Sequence, residues 1–138
     1  MIAYLDTSAL LRLVLREPGA LEELRSCEAL VSSEILAVES LRTIDRLRLQ
    51  GGLSTDEAAS RRATTIEWLE AVDLVLLLRP VLSRASEPFP TPLGTLDVLH
   101  LATALVWQDR MHQALAMATH DRDLALAARS FGLEVLGV

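Results

Sequence analysis

The chain has 138 residues, 51% of them apolar, enough for one domain with a sizeable core. Its single cysteine, Cys27, excludes an internal disulfide and a Cys-based zinc site, and fits a small hydrophobe in a reducing cytoplasm. The net charge of −6 disfavours generic nucleic-acid binding, and the thirteen basic residues are all arginine, which excludes chemistries that need lysine.

Ile2 to Leu5 reads as a short buried strand, followed at once by Asp6, two hydroxyl residues and a helical pattern over Ala9 to Arg16. Thr7 or Ser8 is expected to cap that helix, and Pro18-Gly19 to end it. Ala20 to Cys27 reads as a second short helix with Leu21 and Leu24 inward. A short strand over Ala29 to Val31 follows. Ser32 or Ser33 caps a long helix that runs to Gln50 and stops at Gly51-Gly52. Ser54 and Glu57 have capping-box spacing and open a helix to about Ala71. Leu74 to Leu78 is a continuous apolar run of buried-strand type. Arg79 to Ala85 is helical, and the Pro-rich stretch 87–92 is a stiff loop. Thr95 caps a helix from about Leu96 to Arg110. Leu115 to Ala118 is the fourth strand, 121–131 a helix, and Leu133 to Leu136 the closing strand.

Short apolar strands alternating with helices call for an α/β fold, a parallel sheet covered on both faces. There is no internal repeat and no linker that would divide the chain. The N-terminus lacks a basic leader region, and the longest uncharged run, Val98 to Gln108, has eleven residues against roughly 20 for a membrane span. The expectation is a soluble, cytoplasmic protein.

Four acids stand at special places: Asp6 after the first strand, Glu39 within the long helix, Asp97 in the first turn of its helix, and Asp121 after the fourth strand. Each has a local explanation. Asp6 can be a turn residue, Glu39 can pair with Arg42 on the helix surface, and Asp97 can complement the helix dipole above a hydrogen-bonded core His100. Glu34 lies roughly 140° from Glu39 around the helix and serves the dipole instead. Local explanations do not account for acids at the ends of two parallel strands with a third opening the helix before the second of them. If the first and fourth strands are neighbours, Asp6 and Asp121 face each other across a topological switch point, where α/β sheets bind ligands. Carboxylates gathered there repel unless a cation joins them, and hard oxygen donors suit Mg²⁺ or Mn²⁺. The chemistry implied is metal-assisted phosphodiester hydrolysis by an activated water.

These residues carry a family resemblance. Tyr4-Leu5-Asp6-Thr7-Ser8, Val38-Glu39-Ser40-Leu41-Arg42, Thr95-Leu96-Asp97-Val98-Leu99-His100 and Thr119-His120-Asp121-Arg122-Asp123 occur in the order of a PIN domain. The chain resembles in particular a VapC-type ribonuclease toxin of a toxin–antitoxin pair. The resemblance implies a three-layer α/β/α sandwich of about five parallel strands in the order 3-2-1-4-5, formed by residues 1–138 as one domain. It implies a Mg²⁺- or Mn²⁺-dependent endoribonuclease with Asp6, Glu39, Asp97 and Asp121 as the acidic, metal-binding pocket. Thr119 resembles the hydroxyl residue that supports the water, Ser8 is a further candidate support, and Asp123 is a second candidate for the fourth acid. Asp121 is preferred because it is nearer the strand end. A VapB-like antitoxin and a homodimer are also implied.

Between Leu41 and Arg62, five arginines against three acids give a local charge of +2, and Arg42 and Arg46 are candidates for an RNA or antitoxin groove. Few aromatics are present to stack bases, and Trp68 and Trp107 sit at helical core or interface positions. Three rivals remain. A phospho-acceptor receiver would use a lysine, an Asp-x-Asp phosphatase would need a second acid where Ser8 stands, and an inert PIN fold would serve as a binding module.

Overall fold

A computed structural model describes residues Met1–Val138. Strands β1 (Ile2–Leu5), β2 (Ala29–Ser33), β3 (Asp73–Val75), β4 (Ala116–Ala118) and β5 (Glu134–Leu136) form one parallel sheet in the order β3-β2-β1-β4-β5. That is the expected order, and it is not the 2-1-3-4-5 order of receiver domains. The helices are α1 (Thr7–Val14), α2 (Ile35–Leu49), α3 (Thr55–Ala71), α4 (Arg79–Ala85), α5 (Thr95–Met111) and α6 (Arg122–Ser130). A 3₁₀ turn over Glu22–Ser26 replaces the expected second helix and still buries Leu24.

The pleat of β1 explains the layers. Ala3 and Leu5 point to one face, where they meet Leu10, Leu36, Ile44 and Trp68 from α1, α2 and α3. Tyr4 points to the other face, into a cluster of Leu101, Leu105, Met117 and Leu124 with α5 and α6. Both faces of the central strand are therefore dry, as parallel sheets require. No helix is long and apolar enough to cross a membrane.

Several local expectations are corrected. Asp6 itself is the N-cap of α1, accepting from the Ser8 N–H, and Thr7 and Ser8 already lie inside the helix. Gly94, without a side-chain cap, precedes α5, and Thr95 is its first residue. At α2 neither serine occupies the N-cap position. Ser33 Oγ accepts from the Ile35 N–H, while Ser32 donates to the Leu5 carbonyl. The apolar run after Asp73 is a strand only to Val75. As an edge strand it has one neighbour, and Glu34 Oε1 then accepts from the Leu77 N–H and draws the chain out of the sheet. Leu76 and Leu78 are consequently exposed. The Ser54–Glu57 capping box of α3 is formed reciprocally.

Candidate active site

The sheet reverses its direction of growth between β1 and β4, whose residues pair from Ala3 with Ala116 to Leu5 with Ala118. The carboxyl ends of these strands deliver Asp6 and the segment Thr119-His120-Asp121 to one crevice. A chain of short hydrogen bonds joins the two ends. Ser8 Oγ donates to Asp6 Oδ2 at 2.6 Å, and Thr119 Oγ1 donates to the same oxygen at 2.8 Å. The His120 N–H donates to Ser8 Oγ and the Asp121 N–H to Thr119 Oγ1. Asp6 is almost wholly buried, so its charge needs these donors. All are spent on Oδ2. Oδ1 has no hydrogen bond within the protein and lies 3.8 Å from His100 Nε2.

Glu39 reaches the crevice from α2. Its Oε1 accepts from His100 Nε2 at 2.6 Å and from the Thr7 hydroxyl at 3.0 Å. The His100 ring is fully buried, with Nδ1 accepting from the Tyr4 hydroxyl at 2.8 Å, and Tyr4 accepts in turn from the Ser33 N–H. This network assigns the proton to Nε2. Burial acts to raise the Glu39 carboxyl, but the hydrogen bonds from His100 and Thr7 hold it below the ordinary range. The surface pair Glu39–Arg42 does not form. Arg42 and Arg48 both bind Asp45, and Arg46 is exposed without an ion pair.

Asp97, in the first turn of α5, is half-buried and has no hydrogen bond. Burial, and then the charges of Asp121, Asp6 and Glu39, raise its carboxyl from 3.8 to about 6, with His100 opposing. Asp121 is the N-cap of α6, its Oδ1 accepting from the Leu124 N–H at 2.8 Å. Asp123, two residues further on in the first turn of α6, is exposed to solvent. His120 is held below its ordinary value by partial burial and by Arg12, whose Nη1 lies 3.2 Å from its Nδ1.

The four acids thus come from four elements into mutual electrostatic reach. As placed, no three acidic, histidine or cysteine side chains converge closely enough to ligate one ion directly. The donor chemistry nevertheless fits a hard divalent cation. The donors are carboxylates, no arginine pairs with them, and Asp6, Glu39 and Asp121 each keep one oxygen free of protein hydrogen bonds. Mg²⁺ usually keeps several waters and takes one or two carboxylates, so wide spacing suits it. A mixed cleft of about 450 Å³ between Leu24, Leu30, Glu67 and Trp68 lies near the start of β2, away from these acids.

Two partners escaped the sequence reading. Capping propensity explains Thr7 and core packing explains His100, yet together they hold Glu39. The signal available was the i,i+3 spacing of Asp97 and His100, which places both on one face of α5.

Comparison with known proteins supplies the context. The family model described as PIN domain matches residues 3–130. Ribonuclease VapC46 of Mycobacterium tuberculosis (strain ATCC 25618 / H37Rv) is 36% identical over 137 residues, covering 96% of this chain and 95% of that protein. Ribonuclease VapC47 of Mycobacterium tuberculosis (strain CDC 1551 / Oshkosh) is 30% identical, covering 94% and 91% respectively. In fold, the chain is similar to a crystal structure of a member of the VapBC family of toxin–antitoxin systems, VapBC-5, from Mycobacterium tuberculosis. That likeness has a TM-score of 0.59 and 18% identity, and covers 99% of this chain and 98% of the other.

Proposed function

The chain belongs to the PIN-domain family, and we propose that residues 1–138 form a single such domain acting as a metal-dependent endoribonuclease, the toxin of a VapBC-type pair. The observation that carries this reading is the gathering of Asp6, Glu39, Asp97 and Asp121 at the crevice between β1 and β4, registered in the raised carboxyl of Asp97. Like charges collected at a ligand crevice, without a lysine or arginine to balance them, are a binding site for a cation.

Asp6, Glu39, Asp97 and Asp121 would hold Mg²⁺ or Mn²⁺ directly or through its waters, and the ion would supply charge neutralisation at a scissile phosphodiester and a more acidic attacking water. The chain's own residues set the stage. Ser8 and Thr119 lock the rotamer of Asp6 through one oxygen and leave the other facing the crevice. His100 and Thr7 do the same for Glu39. Asp97, free of hydrogen bonds, is the carboxylate that can turn toward an incoming ion. Arg42 and Arg46, on the exposed side of α2, draw the RNA or a VapB-like antitoxin peptide to the rim. A homodimer and a cytoplasmic location complete the reading.

The test is calorimetric titration of Mn²⁺ into wild type, Asp6→Asn and Asp97→Asn, alongside cleavage of labelled RNA. Binding and cleavage are expected in wild type and strongly reduced in both variants. Equal Mn²⁺ binding in all three undoes the site. The absence of three directly converging donors favours a second reading, an inert PIN-fold binding module. Growth arrest on expression, abolished by Asp6→Ala, supports the enzyme, and no arrest with no cleavage supports the module.

A further inference from the structure

We propose that the groove between α1 and α2 carries the nucleotide adjoining the scissile phosphate, with Arg12 binding that nucleotide's phosphodiester. The inference rests on the nuclease reading above and adds a substrate path to it. On α1 and its C-cap, Ser8, Leu11, Arg12 and Leu15 share a face at helical spacing. On α2, Glu39, Thr43 and Leu47 form the matching stripe. An open cleft of about 410 Å³ lies between the stripes, and its lining also includes His120 and Asp121. Both stripes begin in the acidic crevice, with Ser8 bound to Asp6 and Glu39 bound to His100. The groove is therefore continuous with the acids.

Its chemistry is graded. Leu11, Leu15 and Leu47 offer an apolar floor for a ribose or base. Arg12 is the one cationic side chain in the lining, which also holds Glu17 and a His120 whose Nδ1 accepts from the arginine. The Arg12 guanidinium is partly exposed and incompletely used. Nη1 donates to His120 Nδ1, Nε lies 3.7 Å from Glu17, and Nη2 has no protein partner. His120 also donates its backbone N–H to Ser8 Oγ, so the arginine head is braced against the same hydroxyl that holds Asp6. Arg12 stands one helical turn beyond Ser8, about 6 Å along α1. A planar fork with open donors at that offset suits a phosphate neighbouring the one at the acids.

The experiment uses a labelled single-stranded decauridylate. Its binding is measured by anisotropy in EDTA across 25–200 mM salt, and its cleavage is measured in Mn²⁺. Arg12→Ala is expected to weaken binding by about 3–10-fold, to make the log K against log salt slope shallower by about 0.7, and to raise KM with little change in kcat. Arg12→Lys restores most of the slope and less of the affinity. Arg110→Ala, at the far end of α5 from Asp97, changes none of these. Mn²⁺ affinity stays as in wild type throughout. A cleaving wild type whose KM and slope are unmoved by Arg12→Ala overturns the groove assignment alone. A wild type that takes up Mn²⁺ yet neither binds nor cleaves RNA overturns the nuclease reading, and the groove assignment with it.

Discussion

Replacing Asp97 by Asn removes a carboxyl whose charged form the crevice disfavours. In the folded protein this carboxyl keeps its proton up to about pH 6, whereas its ordinary value is 3.8. The folded state therefore binds more protons than the unfolded state between those values, and stability falls as pH rises across that window. At 1.36 kcal/mol per pH unit, the interval corresponds to about 3 kcal/mol. Asp97 is only half-buried, and solvent screening together with the opposing dipole of α5 cuts this to about 1 kcal/mol. Asn cannot ionise. In EDTA, Asp97→Asn is thus expected to match wild type near pH 4 and to exceed it by about 1 kcal/mol at pH 7 and above. Urea unfolding followed by circular dichroism, at unit steps from pH 4 to 8, reads the difference directly. Adding Mn²⁺ at 100 times its dissociation constant should reverse the order, because the ion stabilises wild type by about 2.7 kcal/mol and the variant much less. A difference that stays flat with pH, or a variant less stable at pH 8, would refute the crowding of charge on which the site rests.

Tyr4→Phe removes the hydroxyl that both serves His100 and accepts from Ser33, leaving two buried polar atoms unpaired. A loss of about 2–4 kcal/mol is expected in the same unfolding assay, and a loss under 0.5 would mean that the network is not closed as described. Gly137→Ala would place a Cβ 2.4 Å from the Thr119 carbonyl oxygen at a φ of +108°, so it should cost more than about 1 kcal/mol and weaken Mn²⁺ binding through displaced Thr119. Ser54→Ala should cost about 1 kcal/mol through the lost cap of α3 and leave Mn²⁺ affinity unchanged, which calorimetry on the same sample checks.

Most of the architecture was legible because it rests on local rules. The alternation of short apolar runs with helical stripes gave a parallel sheet, and the strand order inferred from resemblance is the order observed. What failed locally failed for tertiary reasons. The run Leu74 to Leu78 has the composition of a buried strand, but β3 has only one neighbour, and Glu34 turns the chain away after Val75. Thr7, Ser8 and Thr95 are good capping types, yet Asp6 and Gly94 hold those positions, and the displaced hydroxyls of Thr7 and Ser8 turn to Glu39 and Asp6 instead. The partner of Glu39 could not be read from spacing along α2, because His100 is 61 residues distant and arrives from the opposite layer.

The way each acid is tolerated follows from where it sits. Asp6 and Asp121 are N-caps, and Asp97 lies in a first turn, so three of the four stand at positive helix ends, where unpaired N–H groups favour an anion. A capping carboxylate spends one oxygen on the backbone or on neighbouring hydroxyls and keeps the second. The same bond that starts the helix therefore fixes the rotamer of a potential ligand. Glu39 lies within α2 and has no helix end to draw on, which is why it alone needs a buried imidazole. Asp97 has the dipole but no cap, and its carboxyl is raised. Helix ends and one histidine thus hold three acids in place with no arginine partner. The uncompensated repulsion falls on the fourth, Asp97, the member free to turn when a cation enters.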